Sequence, residues 1–318
     1  MKKLLVILVL YISFFNISYA EEIVNLSKDT SSGYKKFFKS LTGSHYKSYG
    51  MQIVNIEDGH PVRSGKESIR FEVRSGDCES DNDDSDWNDC ENDRERHELS
   101  AGKKIDSMTK GEFWFSWSIY FPEDHINLYP LSNNYGQFHQ KGGPPVFMFK
   151  ESNTGYTLVR TIGDYDYDEK KLISKRKMPG QWFDILINAK WSKKNNGFFK
   201  VWVNDKLKYD YKGATMTGKS VYQKIGIYRT GITRYINYKN LANIADCLGS
   251  KNGTNKEFEI YLDLQKKKIN HNNSVDLYNK CKNYYEPIIV PTTIVYFDEV
   301  RKGKSKESVS KNLTPLLN

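Results

Sequence analysis

Short runs in which apolar and polar residues alternate recur along the chain, at residues 68–74, 111–121, 182–191, 197–206, 222–230 and 293–301. On a strand, side chains two apart share a face, so each run can lay one face on a core and turn the other outward. Aromatic and β-branched residues fill these runs, and turn formers such as Asn195-Asn196-Gly197, Asn204-Asp205 and Met178-Pro179-Gly180 separate them. Many strands at close spacing, with helical periodicity scarce before the last quarter, predict an all-β jelly-roll sandwich of two antiparallel sheets over residues 51–303.

The ends and two interruptions complete the layout. Met1-Lys2-Lys3, the apolar run from Leu4 to Phe15 and Ser18-Tyr19-Ala20 have the order of a signal peptide over residues 1–20. Residues 21–50 read as an N-terminal extension and 304–318 as a loose polar tail. No other apolar stretch could cross a bilayer, so stable membrane insertion is not expected. The formal charge is +9, of which Lys2 and Lys3 carry two units, and a basic exported chain suits an anionic partner. An even set of cysteines in an exported protein favours disulfides, and proximity suggests Cys78–Cys90 and Cys247–Cys281 among three pairings. The first would tie an acidic loop, residues 77–93, with a loop-closure gain of roughly 3 kcal/mol. Calcium is a candidate ligand there, although the spacing is not that of an EF-hand and a solvated loop is the plainer reading. The second would pin a partly helical insertion over 237–287, whose Lys266-Lys267-Lys268 could meet an anionic chain near the cleft.

Three strand-like stretches carry residue types suited to chemistry. In Arg94-Glu95-Arg96-His97-Glu98-Leu99, Arg94, Arg96 and Glu98 share one face. The earlier Arg70-Phe71-Glu72-Val73-Arg74 repeats that pattern, with Arg70, Glu72 and Arg74 together, so both strands are expected to present a polar, ligand-facing sheet. A face laced only with salt bridges is the bland alternative. In Gln137-Phe138-His139 the outer two residues point together. Along residues 222–229, Tyr222, Lys224, Gly226 and Tyr228 share a face, and Gly226 leaves room for a ligand near the backbone.

In this order, Arg96-His97-Glu98-Leu99, Gln137-Phe138-His139 and the Tyr222–Tyr228 segment resemble the signature segments of jelly-roll polysaccharide lyases of the alginate lyase type. The Lys224-x-Gly226-x-Tyr228 core, the stretch from Gly180-Gln181-Trp182 to Asn204 and Val295-Tyr296-Phe297-Asp298-Glu299-Val300 are also similar to heparin lyase I and glucuronan lyases. The resemblance spans roughly residues 70–301, the insertion excepted. It departs from the alginate lyase pattern at Arg229-Thr230, where Asn-Gln is usual, and at His97. It implies a concanavalin A-like jelly roll that cleaves a uronate-containing glycan by β-elimination.

Such a reaction needs the sugar carboxylate neutralised, the C5 proton removed and the O4 leaving group protonated. The resemblance implies Arg96 and Gln137 as carboxylate clamp, His139 or Tyr228 as base, Tyr228 as acid, and Lys224 as a cation tuning Tyr228 or holding an anionic group. Arg70, Glu72, Arg74, Arg94, Glu98, Tyr222 and Arg229 would contact substrate. No cofactor is required on this reading, the partner is an anionic polysaccharide, and the protein acts as a secreted or periplasmic monomer. A non-catalytic glycan-binding module shares the fold but has no need of the Gln–His–Lys–Tyr set. A glycoside hydrolase would need two carboxylates across the cleft, with Glu72 and Glu98 as candidates. Export and the lack of a recognisable module argue against nucleic acid.

Overall fold

A computed structural model describes residues 40–43, 47–78, 88–101, 108–162, 166–249 and 253–310. Its strands are β1 (Ser40–Gly43), β2 (Met51–Asn55), β3 (Glu67–Val73), β4 (Arg94–Ser100), β5 (Gly111–Tyr120), β6 (Ser132–Lys141) and β7 (Gly143–Ser152). They continue as β8 (Gly155–Ile162), β9 (Asp166–Ser174), β10 (Trp182–Trp191), β11 (Gly197–Val203), β12 (Lys206–Gly213), β13 (Ser220–Thr230) and β14 (Thr293–Gly303). Two seven-stranded sheets result, in the orders β1-β4-β13-β6-β7-β8-β9 and β12-β11-β10-β5-β14-β3-β2. Neighbouring strands pair antiparallel throughout. This is the expected jelly-roll sandwich.

The alternation explains the core. Phe115, Trp117 and Trp191 from one sheet meet Phe138, Phe147, Phe149, Ile225 and Ile227 from the other, all buried. Phe115 meets Phe138 edge to face at 4.9 Å between centroids. Burying each such ring stabilises the sandwich by about 1.5–3 kcal/mol, an upper figure because unfolded chains already bury some apolar surface.

Four helices, α1 (Ile232–Lys239), α2 (Leu241–Cys247), α3 (Asn255–Gln265) and α4 (His271–Cys281), fill the insertion between β13 and β14. They bury Ile244, Leu248, Ile260, Leu264 and Leu277 around Cys247 and Cys281. The helical part begins five residues before the expected boundary at 237, because Gly231 adopts φ +79° and turns the chain directly after β13. Asp93, just before β4, then accepts the backbone N–H of Thr233 at 2.8 Å, capping α1 from outside the insertion. Thr254 and Glu257 close a capping box on α3.

Both expected disulfides are present, Cys78–Cys90 and Cys247–Cys281. The proposed boundaries need two corrections. The first sheet begins at Ser40, inside the supposed extension 21–50, since β1 pairs with β4. The supposed loose tail 304–318 starts with a docked turn, α5 (Glu307–Ser310), in which Val309 is fully buried and its carbonyl accepts the Ser116 hydroxyl at 2.8 Å. One apolar residue in a polar stretch is enough to dock it. The signal-peptide segment 1–20 and most of the acidic loop, 79–87, lie outside the described residues.

Candidate active site

Hydrogen-bond register brings the three stretches together. Strand β13 lies between β4 and β6, with Tyr228 opposite Arg96, Gly226 opposite Glu98, Lys224 opposite Gln137 and Tyr222 opposite His139. Arg94, Arg96, Gln137, His139, Tyr222, Lys224 and Tyr228 all line one groove of about 1420 Å³ on the outward face of this sheet. Gly226 has φ +130°, and a Cβ there would come within 2.4 Å of the His97 carbonyl oxygen. The glycine is therefore demanded by strand packing against β4, in place of the ligand clearance expected from sequence.

Glu98 is the hub of the cluster. It is 1% exposed, accepts the Gln137 amide at 2.6 Å, and sits 3.3 Å from Lys224 Nζ and 3.5 Å from Arg96 Nη1. It thus orients the groups beside it, which differs from the substrate-contact role expected of it. Arg96 is also held by Asp89, which accepts from both its Nε and Nη2. Burial pulls the Arg96 pKa down, but Asp89 and Glu98 outweigh it and hold the guanidinium above its ordinary value. The guanidinium carbon lies 4.3 Å from the Tyr228 ring centroid, so Arg96 forms a cationic floor under that ring.

His139 and Tyr228 are pushed apart in protonation. Burial and then the Lys224 charge lower the His139 pKa to about 4. Its Nδ1 lies 2.9 Å from the Gln140 carbonyl, which assigns the proton to Nδ1 and leaves Nε2 as an acceptor. Tyr222 stacks on the imidazole at 5.3 Å, with its hydroxyl 3.2 Å from Nδ1. Burial raises Tyr228 to about 12, against the opposing charges of Arg96 and Arg94. At neutral pH the groove thus holds an unprotonated imidazole nitrogen and a protonated phenol. The cations that act on Tyr228 are Arg96 and Arg94, not the expected Lys224, whose charge acts on His139.

Four expected contacts fall elsewhere. Arg70 and Glu72 lie on β3, and Arg74 directly follows it; β3 pairs with β2 and β14 in the other sheet. There Glu72 is bridged by both arginines, and Arg74 packs 3.7 Å over the Tyr49 ring. Alternation specifies which residues share a face; it does not specify which sheet the strand joins. Arg229 is fully buried toward the core, where it pairs with Glu95 and donates to the Pro291 carbonyl at 2.7 Å. It follows Tyr228 by one residue and so faces the opposite way.

The groove also includes residues that sequence reasoning missed. Asn134 is 5% exposed, pairs with Tyr228 across the ladder, and its Oδ1 has no hydrogen-bond partner among the described residues. Counting back by two from Gln137 gives Tyr135, which is in the core. A register shift between Asn134 and Gly136 breaks the parity, as an extra residue in a bulge does. Lys150 of β7 and Arg234, Lys267 and Lys268 of the insertion complete one wall, so two of the three expected insertion lysines reach the groove. Among the described residues, no group of three or more His, Cys, Asp or Glu could hold a metal ion. The acidic residues that raised calcium are mainly in the segment outside them.

Two antiparallel sheets, one bearing a groove lined by Gln, His, Lys and Tyr over a buried Arg–Glu pair, define a jelly-roll protein with a polar groove on one sheet. Residues 52–264, more than half of the chain, match the family model described as polysaccharide lyase, and the chain belongs to that family. Similar solved structures include the endo-β-1,4-glucuronan lyase of the fungus Trichoderma reesei, at 13% identity and TM-score 0.46, covering 86% of this chain and 98% of that one. The family 7 alginate lyase A1-II′ in complex with product aligns at 11% identity and TM-score 0.43, covering 81% and 84%. Likeness at this level carries nothing about substrate. No curated protein matches the sequence. No helix among the described residues is long and apolar enough to cross a membrane.

Proposed function

We propose that the protein is an exported lyase that cleaves an acidic, uronate-containing polysaccharide by β-elimination, leaving an unsaturated uronate at the new chain end. The observation that carries this reading is the convergence of His139, Tyr228, Gln137 and Lys224 on one groove, beside the Glu98 cluster, in surroundings that favour a neutral imidazole and a protonated phenol. Nε2 of His139 takes the C5 proton. The C5–H electron pair forms the C4=C5 double bond, the C4–O4 bond breaks, and the Tyr228 hydroxyl protonates O4. Lys224 offers Glu98 one of its three N–H donors, and Gln137 offers one of two amide hydrogens. The remaining donors suit the charge that builds on the sugar carboxylate, and fixed donors of this kind are usually the largest catalytic contribution. Arg96, its guanidinium engaged by Asp89, acts more through the Tyr228 ring than as a free fork. A carboxylate arriving beside His139 raises its pKa, which strengthens the base when substrate is bound.

Export is supported by the signal-peptide pattern of residues 1–20 and by two disulfides. The hydrolase alternative loses its carboxylate pair, because Glu72 is on the other sheet and Glu98 is held by Gln137, Lys224 and Arg96. The test is incubation of the mature protein with a panel of acidic glycans while ultraviolet absorbance of the conjugated double bond is followed. Absorbance should rise with at least one polyuronate and stay flat with neutral glycans. Binding of these glycans with no rise on any would favour a glycan-binding module.

A further inference from the structure

Beyond the reacting centre, the groove contains cations that the elimination does not use. Lys150 stands next to Asn134 in the ladder, and Asn134 stands next to Tyr228, so Lys150 is two strands away from the reacting phenol. Two inter-strand steps span about 10 Å, a separation that a disaccharide unit bridges. Lys150 is half-buried, and no carboxylate lies within ion-pair distance of its ammonium among the described residues. Burial depresses its pKa, the Glu169 carboxylate opposes that, and the nearby Arg234 adds to the depression. Arg234 comes from α1, its Nε buried without a hydrogen-bond partner and its Nη2 only 3.4 Å from the Thr230 carbonyl. It folds against Gly231, where a Cβ would sit 2.3 Å from Nε. Lys268 is exposed at the rim, and the turn carrying it is fixed to the groove by Tyr129, whose hydroxyl donates to the Lys267 carbonyl at 2.9 Å.

Bringing like charges together in a partly dry wall is costly unless an anion joins them. Opposing carboxylates compensate only in part: Glu169, exposed on β9, acts on Lys150, and Asp93, already bonded to Thr233 and close to His271, acts on Arg234, but neither is in ion-pair contact with its cation among the described residues. We propose that Lys150 and Arg234, with Lys268 at the rim, form a second anion subsite that receives the carboxylate of a uronate neighbouring the one being cleaved. The preferred substrate then carries uronates on consecutive sugars, and the insertion is a specificity element as well as a cap. This inference rests on the lyase reading for the position of the cleaved sugar.

A binding measurement separates the two. Titration calorimetry would use the Tyr228→Phe protein, in which turnover should be slowed at least about 100-fold, with and without Lys150→Gln and Arg234→Gln. The ligands are a homopolyuronate hexasaccharide and an octasaccharide in which uronates alternate with neutral sugars. Loss of charge-assisted contacts should weaken homopolyuronate binding by at least about tenfold and the alternating ligand much less. Equal weakening of both ligands, or no weakening of the first, overturns the subsite. Circular dichroism checks folding. Should the double variant unfold, Lys268→Gln, an exposed position, should still shift binding in the same direction, and indifference there counts against the proposal. This selectivity, with no unsaturated product from the protein that keeps Tyr228, sinks the lyase reading alone, whereas product formation by that protein with binding indifferent to the substitutions sinks the subsite alone.

Discussion

Replacing Glu98 by Gln changes one charge and almost no volume, so it isolates the electrostatic role of the hub. The new side chain can still accept from Gln137, which keeps that amide in place. What disappears is the carboxylate between Lys224 Nζ at 3.3 Å and Arg96 Nη1 at 3.5 Å. Removing one partner of a buried ion pair costs about 3–5 kcal/mol. Arg96 keeps Asp89, so Lys224 alone is stranded, and the lower end, about 3 kcal/mol, applies. For a domain of this size that corresponds to a fall in Tm of roughly 6–12 °C. Kinetics adds a second readout. With Glu98 neutral the groove gains a unit of positive charge, so an anionic substrate should bind at least as tightly, and KM should not rise. The turnover number should drop, because Lys224 is no longer fixed and the His139 pKa, which Glu98 pulls upward, falls further below about 4, making a weaker base. Thermal unfolding and initial rates on a polyuronate decide the matter. A variant with parental Tm and a raised KM would refute the hub and restore Glu98 as a substrate contact.

Lys224→Met removes a charge that lowers the His139 pKa, so that pKa should rise from about 4 toward 6.5. A base works unprotonated, so kcat/KM is lost as pH falls through this pKa, and the acid limb of the profile should move to higher pH; an unmoved limb would exclude His139 as the base. No alkaline limb from Tyr228 is expected below about pH 12. Arg229→Met should cost about 3–5 kcal/mol by leaving Glu95 buried and unpaired, and the folded fraction should keep a parental KM; a stable variant with raised KM would make Arg229 a substrate contact after all. Tyr228→Phe should retain its Tm and lose at least about 100-fold in rate, the scale for a positioned general acid; near-normal turnover would remove it from that role.

The fold was largely legible because period-2 alternation reports burial directly. Phe138, Ile225 and Ile227 can each be assigned to the core from their neighbours in sequence. Both disulfide pairings followed from proximity. What alternation does not encode is long-range pairing, so β3, with arginines and a glutamate sharing one face as on groove strand β4, reads as a groove strand yet joins the other sheet. It also fails wherever parity breaks, as at the bulge that turns Asn134 to the groove. Asp89 sits in an acidic loop that by sequence suggests a solvated or calcium-binding carboxylate, yet it is 3% exposed against Arg96, a contact set by the Cys78–Cys90 closure and the fold of β4. The wall residues Lys150 and Arg234 carried no local signal, because their proximity arises only when the insertion closes over β7.

Elimination and hydrolysis differ in one atom's fate: the first breaks the C4–O4 bond without adding water, and the second places a water oxygen on the product. Digestion of a polyuronate in water enriched in heavy oxygen, with mass spectrometry of the oligosaccharides, reads this directly. The account requires products lighter than hydrolytic ones by one water, with an unsaturated end and no enzymatically incorporated label. Products carrying the heavy isotope in stoichiometric amount, with saturated ends, would contradict it.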